Sequence, residues 1–291
     1  MSQKNKRAVS IGMLVAAGII WGLSFVVVKD SLEYITPLWQ LALRLLVASV
    51  CMLLLFFPRL KRMNRQTVFS GICLGTIFFL ALLLQNIGCR ETTASKSSFL
   101  TVSYVMFVPL LELLLLKKKL TGRKAASVLI CLSGMAMLTL NGGFRIGRGD
   151  LLIIICGIFY AFHIIYIDHC SEKIDAVDMH FLQILTATVL ALIAAFVFEP
   201  FPVVTEVHCW IGLLYCGIFE ITLGFFLQLK GQQNTSPTLA GILVSMESVY
   251  GSIFAAIFLR ESFTLRMIAG CIAIFMAAVI AGVEKPAEKE G

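Results

Sequence analysis

Long apolar runs alternate with short clusters of charged and turn-forming residues along almost the whole 291-residue chain. Ten runs stand out, at residues 10–28, 38–57, 68–88, 97–116, 125–141, 151–167, 179–198, 210–229, 237–259 and 265–283. Each approaches or exceeds the stretch of about 20 residues that carries an α-helix across a bilayer core. Strands of a membrane barrel would alternate apolar and polar positions over about ten residues, and these runs do not. The pattern predicts an all-α integral membrane protein with ten transmembrane helices. The first run follows Lys4, Lys6 and Arg7 as a signal peptide would. It is too long for one, carries no small-x-small cleavage site and is followed by nine more runs, so it reads as the first helix.

Composition narrows the class. The chain is 59% hydrophobic and only 14% charged, against about 25% charged in soluble domains. A water-facing surface could not be covered, which excludes a soluble enzyme, a disordered segment and a nucleic-acid binder despite the net charge of +7. That charge is distributed by topology. With an inside N-terminus, inside segments hold sixteen Lys and Arg residues, among them Arg59, Lys61, Arg62 and Arg65 and the cluster Lys117, Lys118, Lys119, Arg123 and Lys124. The outside loops hold seven: Lys29, Arg90, Lys96, Arg145, Arg148, Arg260 and Arg266. The bias places both termini in the cytoplasm. Nine scattered cysteines and four histidines show neither C-x-x-C pairs nor metal-ligand spacing. No phosphate-binding loop is present, so no cofactor is expected and energy must come from a solute or ion gradient.

The two halves resemble each other. At an offset of 139, residues 18–29 fall on 157–168, pairing Trp21 with Tyr160 and Ser24 with His163. At 143, Gln85 falls on Gln228, Thr92 on Thr235, Leu100 on Leu243 and Thr121 on Thr264. A repeat with an odd number of spans must thread the membrane in opposite directions in its two copies. The expected architecture is two inverted five-helix repeats, residues 1–145 and 146–291, with a binding site near the midplane between them.

An ionisable side chain at bilayer depth costs about 2.5–3.5 kcal/mol on insertion scales and is expected to face the protein interior or a wet cavity. Arg44, Glu112, Glu220 and Glu247 lie well inside runs, with His163 beside them. Glu220 and Gln228 share one face of the eighth helix at i and i+8, with Gly224 between, which marks a cavity wall or a close helix approach. Glu247 in the ninth helix has Gly251 one turn on, and its repeat counterpart is Tyr104. Tyr160 and His163 are i, i+3 neighbours, and they and their counterparts Trp21 and Ser24 are expected to face the gap between the halves. Gln85 mirrors Gln228. Arg44, matched by Gln183, reads as a structural ion pair or a cytosolic gate contact. Glu112 stands just before Lys117 and Lys118 and reads as a snorkelling or intrahelically paired residue. The candidate substrate-binding set is Trp21, Ser24, Gln85, Tyr104, Tyr160, His163, Glu220, Gln228 and Glu247, with no catalytic residue and no metal ligand.

Several short motifs carry a family likeness. They are Trp21-Gly22-x-x-Phe25, Pro37 followed by Arg44, and Thr92-Thr93-Ala94-Ser95 in the first half. In the second they are Asn234-Thr235-Ser236-Pro237, then Arg260-Glu261 with Thr264. In this order the chain resembles the EamA-type branch of the drug/metabolite transporter superfamily over nearly its whole length. The resemblance implies ten helices in two inverted repeats around a central cavity, and movement of small metabolites, often outward and sometimes amino acids or drug-like compounds.

The expected function is a secondary transporter and exporter of a small polar or amphipathic metabolite, in the plasma membrane. Its partners would be the solute, the lipid bilayer and, as a coupling candidate, protons; oligomeric state is left open. Glu220 and Glu247 would meet an ammonium group or carry a proton, and Trp21, Tyr160 and Tyr104 would supply aromatic faces. The rival classes are an uncoupled facilitator or channel-like permease and a membrane-embedded enzyme or sensor. A channel would show rings of like charge or a filter loop, and an intramembrane protease would need paired Asp or Ser/His spacing. Neither signature is present.

Overall fold

In the computed structural model the described residues are 3–60, 63–117, 121–139, 146–171, 173–260 and 264–282. The expected boundary at 145 lies outside them, as do Lys61, Arg62, Lys118, Lys119, Arg145 and Glu261 among the residues singled out above.

Among the described residues the chain is helical throughout. The first half runs α1 (Gln3–Ser31), α2 (Pro37–Leu60), α3 (Arg65–Arg90), α4 (Ala94–Thr101), α5 (Tyr104–Leu115) and α6 (Gly122–Thr139). The second runs α7 (Arg148–Cys170), α8 (Ala176–Phe198), α9 (Val207–Tyr215), a π-helical stretch (Cys216–Gly224), α10 (Phe225–Gln232), α11 (Pro237–Val244), α12 (Glu247–Phe258) and α13 (Leu265–Gly282). Eight helical stretches are long and apolar enough to cross a membrane; α4 and α5, α11 and α12, and α9 to α10 each count as one. The remaining two, α6 and α13, have 18 residues each. Most helices outrun the apolar runs that predict them, because charged ends such as Lys29 and Arg90 remain helical beyond the apolar stretch.

Two runs read as continuous helices are in fact broken. Between α4 and α5, Val102 and Ser103 tighten into i→i+3 bonds, Val102 N to Phe99 O and Ser103 N to Leu100 O. Between α11 and α12, Met246 N bonds Leu243 O and Ser248 N bonds Ser245 O. The second break is assisted by serines whose hydroxyls bond back to the chain, Ser245 to Ile242 O and Ser248 to Ser245 O, a habit that bends helices. The motifs before these segments act as N-caps. Thr93 accepts from Lys96 N and Ser236 from Leu239 N, with Pro237 at the first turn where its missing N–H is harmless.

The packing repeats when the halves are exchanged. α1 lies against α12 as α7 lies against α5, α1 against α10 as α7 against α3, and α6 packs on α13. The glycines match too. A Cβ on Gly231 would meet Leu14 Cγ at 2.7 Å and Ser10 O at 3.0 Å. On Gly88 it would meet Gly149 O at 2.7 Å, with Ile153 alongside. Gly149 and Ile153 are the counterparts of Ser10 and Leu14 at the offset of 139. The C-terminal end of α1 also touches that of α3, where Lys29 Nζ donates to Cys89 O and Arg90 O. The N-terminus of α7 therefore sits beside the C-terminus of α1.

Large apolar side chains cover the outside: Phe69, Leu54, Leu114, Ile193 and Phe196 are all exposed. An aqueous surface would not carry so many. The interior holds polar residues instead, among them Gln40, Arg44, Asn86, His163, His180 and Gln183.

Candidate functional site

Each break in a discontinuous helix is seated on a glycine of the opposite half. A Cβ on Gly18 in α1 would lie 3.4 Å from Val244 O and 3.5 Å from Glu247 N. Its counterpart Gly157 in α7 faces Thr101 O at 3.1 Å and Tyr104 N at 3.2 Å, with Ser103 Oγ in the way. Absence of side chains at these two points lets each break approach its neighbouring helix and turns the first residue beyond it, Tyr104 or Glu247, inward. The two meet: the Tyr104 hydroxyl donates to Glu247 Oε1 at 3.0 Å.

Around this contact lies a cavity whose empty space, open solvent included, is about 530 Å³. Eight of the nine candidate residues line it: Trp21 and Ser24 from α1, Gln85 from α3, Tyr104 from α5, Tyr160 from α7, Glu220 from the π-helical stretch, Gln228 from α10 and Glu247 from α12. Tyr160 donates to Gln85 Oε1 and Gln85 Nε2 donates to Thr101 Oγ1, both at 3.2 Å. Ser24 returns its hydroxyl to Trp21 O in its own helix. Gln228 is buried, and its Oε1 has no hydrogen-bond partner. Glu247 is 4% exposed, and no Lys or Arg pairs with it among the described residues. Sequence reasoning missed Thr101 and Phe225 as lining residues. Phe225 is one apolar residue among many, and nothing in the pattern marks it.

The second acidic candidate is differently placed. Arg44 Nη1 donates to both Glu220 oxygens, at 2.8 and 2.9 Å, and Nη2 donates to Asn86 Oδ1 at 3.1 Å. Asn86 in turn donates to Pro37 O and Gln40 Oε1, each at 2.8 Å. The expected ion pair of Arg44 is present, and its partner is the carboxylate read as a solute or proton group. Arg44 bonds the cluster at the start of α2, at the end of the bundle away from the N-terminus of α1. The π-helical stretch also departs from the regular helix expected there. Its i→i+5 turn takes up an extra residue, and Thr222 Oγ1 reaches five residues back to Gly217 O at 2.8 Å. Trp21 closes over it, donating Nε1 to Glu220 O at 3.2 Å and packing its ring 4.6 Å from Phe225. Gly224 makes room, since a Cβ there would lie 2.6 Å from Trp21 Nε1.

Two expectations need correction. His163 does not face the gap; it lies fully buried behind the wall, ring-stacked on Phe78 at 5.5 Å and edge-on to Phe225 at 6.0 Å. Its Nε2 meets Gln183 Oε1 at 2.9 Å, Gln183 Nε2 meets His180 Nδ1 at 2.9 Å, and His180 Nε2 meets Thr222 O at 2.8 Å. Glu112 does not snorkel. It is 3% exposed, hydrogen-bonded by Thr238 Oγ1 of α11 and 3.6 Å from Lys124 Nζ of α6. The helix ends at Leu115 and Lys117 turns into the left-handed region at φ 52°, which takes that lysine off the helical face it was expected to share. Lys118 lies outside the described residues.

Comparison with known proteins agrees with this geometry. The profile of the EamA-like transporter family matches residues 8–140 and again 147–283. An uncharacterized transporter of Archaeoglobus fulgidus is 29% identical over 92% of this chain and 83% of its own length. The Bacillus subtilis transporter YvbV is 24% identical over 98% of this chain and 94% of its own. An S-adenosylmethionine/S-adenosylhomocysteine transporter of Chlamydia muridarum is 24% identical over 87% and 85%. A protein of known crystal structure shares the fold at TM-score 0.77 and 16% identity, covering 94% of this chain and 96% of that one.

Proposed function

The chain belongs to the EamA-like transporter family, and from that membership we propose that it is a secondary transporter, an exporter of small organic solutes working by alternating access. In this reading it has ten membrane-spanning helices in two inverted halves, residues 1–145 and 146–291. It sits in the plasma membrane with both termini in the cytoplasm, and acts as a carrier rather than an enzyme. The opposed ends of α1 and α7, and packing that survives exchange of the halves, support the inversion.

The observation that carries the proposal is a cavity between the halves whose polar wall has one carboxylate, Glu247, without a cationic partner among the described residues. Glu220 is paired with Arg44, which leaves Glu247 as the carboxyl group of the wall without a cation. Gln228 stands beside Glu247 in that wall, with its Oε1 buried and unpartnered. Trp21, Tyr104, Tyr160 and Phe225 surround these acceptors with aromatic faces. Such a site suits a solute bearing a positive charge and a flat ring. A sulfonium- or ammonium-bearing metabolite meets that description, and the Chlamydia muridarum relative makes S-adenosylmethionine the first solute to try.

Counterflow of labelled S-adenosylmethionine, then of a panel of organic cations and amino acids, is measured in proteoliposomes. Glu247→Gln is expected to lower flux at least tenfold and to abolish any response to an imposed pH gradient. Full flux in this variant would remove Glu247 from the site. Flux indifferent to the gradient in the parent protein would leave facilitated diffusion. Ohmic current in place of exchange would indicate a channel.

A further inference from the structure

The cavity draws unevenly on the repeat. At Trp21 and Tyr160, Gln85 and Gln228, and Tyr104 and Glu247, both counterparts line it. Glu220 and Phe225 line it without Ile77 and Leu82, their counterparts at the offset of 143, and at three other pairs only the first-half member does. Ser24 lines it but not His163, Val28 but not Ile167, and Cys89 but not Gln232. Of the missing three, Ile167 and Gln232 lie at one end of the bundle. Ile167 clusters with Leu229 of α10, and Gly231 beside Gln232 rests on Ser10 and Leu14 near the start of α1. Val28 and Cys89 cluster at the other end of that helix, about 21 Å away at 1.5 Å per residue. The cavity extends toward one end and is shut at the other.

Two of the three shut-in residues are short of hydrogen bonds. Gln232 is 2% exposed, and neither its Nε2 nor its Oε1 has a partner. His163 Nδ1 is also without one. The polarity of its network settles what His163 offers. Thr222 O can only accept, so His180 Nε2 carries hydrogen. With the rings neutral, His180 Nδ1 then accepts from Gln183 Nε2, and Gln183 Oε1 accepts from His163 Nε2–H. Nδ1 of His163 is left with a bare lone pair, facing no donor. Buried polar groups without partners are rare and costly in folded proteins, and each asks for a reason. The counterparts of His163 and Gln232, Ser24 and Cys89, line the cavity.

We infer that the structure is one of two states, and that His163, Ile167 and Gln232 form the cavity wall in the other. There His163 presents an acceptor and Gln232 a carboxamide to a hydrogen-bond-donating group of the solute. The inference rests on the alternating-access reading above. It assigns contacts to a state in which the cavity has moved to the Gln232 end. In that state Ser24, Val28 and Cys89 are closed off.

The test uses full-length protein in which the cysteines other than Cys89 are replaced, and a second version with Cys89→Ser and Gln232→Cys. Val28→Cys and Ile167→Cys form an independent pair, and thermal unfolding confirms that each variant is folded. A membrane-impermeant charged thiosulfonate is applied to right-side-out and inside-out vesicles. Cys89 and Val28→Cys are expected to react from one side, and Gln232→Cys and Ile167→Cys from the opposite side, each at least tenfold faster than from the other. Reaction of all four from the same side, or none at either second-half position in folded protein, overturns the inference. Solute counterflow is run on the same variants. Opposite-sided labelling supports the two-state wall even where no solute moves. Transport with labelling from one side only sinks the inference and leaves the carrier reading intact.

Discussion

Removing one member of the Arg44–Glu220 pair leaves its partner charged and buried. Breaking a buried ion pair from one side costs about 3–5 kcal/mol, whereas replacing both members can be nearly neutral. Glu220→Gln and Arg44→Gln are each expected to unfold earlier on heating in detergent, and the double variant Arg44→Met/Glu220→Leu to recover most of the loss. Single variants as stable as the parent would mean that the pair does not hold the bundle. The two glutamines separate packing from binding in the same way. Gln85 satisfies both Tyr160 and Thr101, so Gln85→Leu strands two buried hydroxyls at about 1–3 kcal/mol each. Gln228 Oε1 has no protein partner to strand. Gln228→Leu is expected to leave stability within about 1 kcal/mol of the parent while weakening solute binding roughly tenfold, about the weight of one hydrogen bond. Thermal shifts and equilibrium binding read the two effects apart.

At the scale of elements, the glycine seats of the two breaks differ in tightness. A Cβ at position 18 meets only ordinary contacts, whereas one at 157 collides with Ser103 and crowds Thr101 O. Gly18→Ala is expected to be neutral or stabilising, because Ala favours a helix by about 1 kcal/mol over Gly. Gly157→Ala is expected to cost about 1–3 kcal/mol by overpacking and to displace Tyr104 from Glu247. Equal effects at both positions would show that the breaks do not depend on these contacts. The breaks also mark where sequence stops being readable. The apolar runs located the helices within a few residues, apart from the charged start of α1, since only long apolar segments cross lipid. Val102, Ser103, Ser245 and Met246 keep right-handed helical φ and ψ, so no loss of periodicity betrays them. The cavity was more legible than its wiring, because polar residues stand out in an apolar chain. Pairing was not: Arg44 and Glu220 are 176 residues apart. The partners of Glu112 on α11 and α6 were hidden by nearer lysines in sequence, and His180 and Gln183 gave no spacing that ties them to His163.

For the whole molecule, orientation is the open quantity that a direct measurement reaches. The native thiols are poor reporters of orientation at the surface, since Cys170 and Cys209 are buried and Cys89 lies in the cavity wall. Introduced cysteines at exposed Val203, between α8 and α9, and at Gln66, at the start of α3, serve better. With both termini inside, Val203→Cys should react with an impermeant reagent on intact cells and Gln66→Cys only after permeabilisation; the reverse order would invert the protein. The tryptophans offer an optical route to the cavity. Trp39 packs between Phe196 and Phe201, and Trp210 donates to Val204 O at the rim. Trp21 alone of the three lines the pocket. Phenylalanine at 39 and 210 would leave a single emitter whose spectrum shifts or quenches when the pocket fills, so occupancy could be followed by fluorescence in real time, without a radiolabel and before the natural solute is known.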